Sequence, residues 1–139
     1  MAAAFGGAGG PMKPARRDLL VWLLVGIGAS TVVAGLAQMV APGAVLDLLD
    51  AERSATSRHF FAIVGMFMAL FGGALLQAVF SARDEPVVLL WAGLQKLGAF
   101  VAVSLGVAND VFSGLAVLVA VNDLASGGCI LWHRHRLMR

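Results

Sequence analysis

Lys96 and Asp123 are the residues of this chain with the strongest call on chemistry, because each interrupts a long apolar run at its middle. A lysine and an aspartate in hydrocarbon can neutralise each other, lock two helices, or line a polar pocket for a lipid headgroup, a quinone or a proton. Gln95 and Asn122 stand beside them in sequence and supply amides that could complete a hydrogen-bonded cluster. These four form the candidate intramembrane polar site. Gln38, Gln77, Arg58 and His59 are secondary polar positions, two near span ends and two at the entrance of the second span.

Energetics makes pairing nearly obligatory. A Lys or Asp at the centre of a membrane helix costs roughly 2.5–3.5 kcal/mol on insertion scales. Two lone charges would then cost about 5–7 kcal/mol, as much as the whole stability of a small protein. Depth allows the pairing. At about 1.5 Å per residue, Lys96 lies about 15 Å inside its span from Pro86, and Asp123 about 19 Å from Asp110 at the other edge. In a core of about 30 Å the two levels differ by about 4 Å. The faces agree as well. Lys96 shares its side with Ala92, Ala99 and Val103, and Asp123 with Ala116, Ala120 and Gly127. Small neighbours permit close helix contact. A buried pair offsets its own cost without adding much stability. Its role is therefore helix register, an assembly contact, or function.

The elements that must carry these residues follow from composition. The chain has 139 residues, 60% of them hydrophobic and 13% charged, and mean hydropathy is +0.88. A soluble domain of this size is nearer half apolar and about a quarter charged. The apolar residues fall in four blocks, which predicts an all-α membrane protein. Its four transmembrane helices form an antiparallel up-down bundle, with spans at about 19–40, 59–81, 87–107 and 111–132. Pro42 closes the first span, and the AVLDLLDAE stretch after it suggests a short interfacial helix. Asn109-Asp110 reads as a very short turn that makes the last two spans antiparallel neighbours.

The flanks complete the layout. Residues 1–17, rich in Ala, Gly and Pro, read as a disordered cytoplasmic tail, with Met1 and Met12 as alternative starts. The transmembrane domain covers 18–133, and 134–139 is a basic tail. The first apolar run exceeds the roughly 7–15 residues of a cleavable signal core, so it is expected to be retained, cleavage near Ala41 being the alternative. Lys13, Arg16, Arg17, Arg83, Arg134, Arg136 and Arg139 gather on one side, against Arg53 and Arg58 on the other. The positive-inside rule then puts both termini in the cytoplasm. Trp22, Trp91 and Trp132 fall near the cytoplasmic span ends, as an aromatic belt requires.

Other chemistries find little support. A net charge of +2 is too small to suggest nucleic acid. Cys129 is the only cysteine, which excludes an intramolecular disulfide and a dithiol redox pair. Of the three histidines, His133 and His135 lie beyond the last span, so a bis-histidine haem site in the bundle lacks ligands. His133 and His135 with Cys129 could bind a metal, but a basic surface tail is the plainer reading, and no metal site is expected. No phosphate-binding loop or nucleophile elbow is present. Asp47, Asp50 and Glu52 with Arg53 and Arg58 form either an outer polar cap or a solvated loop. Two strips at four-residue spacing, Gly26-Ser30-Ala34-Gln38 and Gly65-Ala69-Gly73-Gln77, suggest close helix contact ending in an amide.

The GLAQMVAP sequence from Gly35 to Pro42, the GMFxxxFG pattern from Gly65 to Gly72 and the polar third span resemble the DoxX-like group of small bacterial four-helix membrane proteins. The resemblance covers most of Leu19 to Trp132. It implies quinone-linked oxidation or assembly with partner proteins, and it carries over no catalytic residue. The expectation is a non-catalytic accessory or assembly subunit, partnered by the lipid bilayer and by another protein or further copies of itself. The alternatives are a small proton-linked transporter and a quinone-binding redox accessory protein. No cofactor is expected; a lipid or quinone is the ligand such a pocket would take.

Overall fold

The computed structural model describes residues 19–81 and 85–139. The expected N-terminal tail, the choice between Met1 and Met12, and Lys13, Arg16, Arg17, Arg83 and Asp84 lie outside the described residues.

Within those residues the chain is helical: α1 (Leu19–Val40), α2 (Pro42–Leu48), α3 (Ala55–Phe80), α4 (Pro86–Ala108) and α5 (Ala116–Leu137). Four of them, all but α2, are long and apolar enough to cross a membrane. The shortest of these four has 22 residues, hence about 33 Å of rise against a core of about 30 Å.

The helix ends follow local chemistry. Pro42 sits in the first turn of α2, where its missing N–H is no loss. Ser54 caps α3 by accepting the Ser57 N–H at 3.0 Å. α3 begins at Ala55, ahead of the expected start at residue 59, so Arg58 and His59 stand within its first turns. α2 and α4 end alike. Asp50 and Asp110 adopt left-handed backbone, with φ of 52° and 56°. Past each, an N–H reaches back five residues: Ala51 to the Leu46 carbonyl at 2.9 Å, and Val111 to that of Gly106 at 2.8 Å. This is the Schellman closure, with aspartate at the position glycine usually holds.

The fourth long helix was expected from Val111 and begins at Ala116 instead. The connection is thus residues 109–115, not two residues. After the closure at Asp110, Phe112 folds its ring onto Gly106, and the Ser113 N–H donates to the Leu49 carbonyl at 2.9 Å. That bond ties the end of α2 to the α4–α5 connection. At the other end α5 continues to Leu137, so His133 to Arg136 belong to its last turns.

The helices pack chiefly in two pairs, α1 along α3 and α4 along α5. In the first pair Gly28 faces Gly72 and Gly35 faces Gly65, so numbers rise along one helix as they fall along the other. The four-residue strips predicted this closeness but mostly not its residues. Gly26 and Gly73 meet nothing, and Ser30, Ala34 and Gln77 are exposed. The buried stripe of α1 is Leu24, Gly28, Thr31 and Gly35. A four-residue step drifts about 40° around a helix, whereas a seven-residue step drifts only about 20°. The sevens stay on one face.

The two pairs join in an apolar cluster of Leu24, Leu75, Leu89, Ala92 and Ile130, one or more from each long helix. Trp22, Trp91 and Trp132 each stand two residues from a member of it, and all three are exposed. They therefore gather at one end of the bundle.

Candidate functional site

The α4–α5 contact is built from small residues. Leu89, Ala92, Gly93 and Lys96 are buried on α4; Ala116, Ala120, Asp123, Ser126, Gly127 and Ile130 are buried on α5. A Cβ on Gly93 would lie 2.6 Å from a Leu131 methyl, and one on Gly127 would lie 3.0 Å from a Leu97 methyl. Larger residues at 93 and 127 would displace these leucines from the contact.

Into this gap project the two charges. Lys96 Nζ donates to Asp123 Oδ1 at 2.8 Å, and the side chains are 6% and 7% exposed. The ammonium and carboxylate neutralise each other inside the bundle, 27 residues apart in sequence. Ala116, Ala120 and Gly127, expected on the side of Asp123, are buried with it; of the Lys96 set, Ala92 is buried while Ala99 and Val103 are half-buried.

The expected four-residue cluster contracts to two. Gln95 is half-buried and Asn122 is exposed, and the structure bonds neither to the pair. The reason is helical. Adjacent residues are about 100° apart around the axis, so a neighbour in sequence points elsewhere. Of the secondary positions, Gln77 and Arg58 are exposed, and the exposed His59 sets its ring edge-on to Phe60. Gln38 is half-buried, and its Oε1 is enclosed without a hydrogen-bond partner.

Sequence reasoning missed two buried polar side chains. Ser126 lies one turn beyond Asp123, a relation already present in the Asp123-x-x-Ser126 spacing. Thr31 is buried on α1, where its hydroxyl donates to the Ile27 carbonyl at 2.7 Å. It also missed a second tie between α4 and α5. Arg134 Nε, in the last turn of α5, donates to the Pro86 carbonyl at 3.0 Å. One arginine of the basic tail is thereby bound into the bundle.

At the other end Arg53 pairs with Asp47 at 2.7 Å, both about half-exposed, between α2 and the start of α3. Among the described residues no group of three or more His, Cys, Asp and Glu side chains could hold a metal ion. Lys96 and Asp123 form a closed, charge-neutral tie between the middle of α4 and the first half of α5. Compared with protein-family models, curated proteins and solved structures, the chain matches none.

Proposed function

We propose that this is an integral membrane protein of four spans that acts as an accessory or assembly subunit, not as an enzyme, in keeping with the DoxX-like group it resembles. α1, α3, α4 and α5 cross the bilayer in up-down order, and α2 lies in the headgroup region. The chain sits in a bacterial inner membrane with both termini cytoplasmic. Support comes from the four long apolar helices, the opposed glycines of α1 and α3, and the three tryptophans gathered at the basic end.

One observation carries the proposal. The strongest candidate for chemistry, the Lys96–Asp123 pair, is engaged with itself at 2.8 Å and closed over by packing. Its role is to hold α4 to α5 in register. What remains for recognition is the outer surface of the bundle.

Native mass spectrometry of the particle extracted in mild detergent tests this. The expected result is a protein partner or further copies at fixed stoichiometry. A lone chain carrying a quinone would favour the redox-accessory alternative. Ion or proton flux in proteoliposomes that vanishes in a folded Lys96→Asp/Asp123→Lys variant would favour the transporter instead.

A further inference from the structure

Asn122 is placed where a membrane helix has least use for an amide. Lys96 stands ten residues after Pro86 and twelve before Ala108, hence at the middle of α4, and Asp123 meets it there. Asn122 shares that depth but points outward, exposed and without a hydrogen bond among the described residues. Hydrocarbon offers an amide neither donor nor acceptor, so it is costly unless another protein group meets it.

The stripe around it has the spacing of a helix contact. Leu118, Asn122, Ala125, Cys129 and Trp132 follow at intervals of four, three, four and three, the heptad seam of paired helices. All are exposed except Cys129, which is half-buried. The seam residues Ala125, Cys129 and Trp132 line a groove of about 320 Å³ together with Leu124, Gly128 and, from α1, Leu20. A Cβ on Gly128 would meet nothing within 4 Å, so the backbone there is open to close approach.

We propose that this stripe is a homodimer contact, in which α5 packs in parallel against α5 of a second copy and the two Asn122 amides bond to each other. The proposal rests on the membrane-spanning reading of the four helices. A second copy is the occupant whose chemistry fits. It inserts with the same topology, so it presents its own Asn122 at the same depth. An amide carries both donor and acceptor, so two of them satisfy each other about a two-fold axis along the membrane normal. A lipid chain satisfies neither. One asparagine within an apolar seam also fixes register, as it does in coiled coils.

The parallel seam sets Cys129 opposite Cys129 of the other copy, two turns from Asn122 and on the same side. The test uses the full chain in membranes treated with copper phenanthroline, which takes two electrons as two thiols become a disulfide and two protons leave. A cross-linked dimer is expected on a non-reducing gel. Asn122→Leu should lower the dimer association constant about ten-fold, the size of an interhelical side-chain hydrogen bond, while Asn122→Gln retains cross-linking. Phe67→Cys in a Cys129→Ser background, on the outer face of α3, should give no dimer. Cross-linking of Asn122→Leu at the original level, or equal cross-linking through position 67, would overturn the dimer. An alkaline wash of the same membranes separates the two readings. A chain that stays in the pellet but fails to cross-link sinks the dimer alone, whereas one that washes off sinks the spanning reading with it.

Discussion

Gly35 and Gly65 stand so close that a Cβ on either would lie 2.5 to 2.6 Å from the carbonyl oxygen of the other. No side-chain motion relieves such a contact, because backbone lies on both sides. Gly35→Ala should therefore force α1 and α3 apart and cost about 1–3 kcal/mol, the range for overpacking a tight site. Gly26→Ala and Gly73→Ala, where a Cβ meets nothing, should be neutral or slightly stabilising. Thermal unfolding in detergent followed by helical circular dichroism would rank the three.

The Lys96–Asp123 pair predicts a non-additive result. Lys96→Met alone strands a buried carboxylate and should cost roughly 3–5 kcal/mol. Lys96→Met combined with Asp123→Leu removes both charges and should return stability to near the starting level or above it. A double variant as weak as the single one would mean that Asp123 has another essential partner. Denaturant titration in mixed micelles of the two singles and the double measures the coupling.

The closure at Asp110 predicts a backbone effect with no change in contacts. A residue with a Cβ is strained at a φ of 56°, and aspartate less so than most. Asp110→Gly should be neutral or stabilising by a few tenths of a kcal/mol, whereas Asp110→Val should lose about 1–2 kcal/mol. The same pair of changes at Asp50 tests whether the two helix ends are equivalent; differential scanning calorimetry resolves shifts of this size.

Gln38 predicts a gain. Its enclosed Oε1 has no hydrogen-bond partner, and an unmet buried acceptor costs about 1–3 kcal/mol. Gln38→Met keeps the length of the side chain and removes the polar atom. The melting temperature in detergent should rise. A fall would show that the amide has a partner carried into the micelle with the protein, a bound lipid or another chain.

The long helices and the meeting of Lys96 with Asp123 were legible in the sequence for the same reason: hydrocarbon makes departures from apolarity expensive, so both the apolar runs and their exceptions carry information. The facing of neighbours was less legible. Asn122 reads as a companion of Asp123 along the chain, yet a rotation of about 100° puts it on the outside. The glycine contacts of α1 and α3 follow sevens, and a four-residue count found Gly65 and Ala69 but walked past Gly28, Gly35 and Gly72. The connection at 109–115 was hidden because Val111, Phe112 and Leu115 are apolar. The closure at Asp110, the Phe112 ring on Gly106 and the Ser113 bond to Leu49 hold them out of the helix.

Each glycine-lined pair carries within itself the contacts that close it, and the two pairs share the leucine and isoleucine cluster at the tryptophan end. Such a division suits vectorial synthesis. The first hairpin can complete its own packing while the second is still in the ribosome, and the later half then docks as a finished piece. Two fragments divided between α3 and α4, made separately in one cell, should accordingly reassemble.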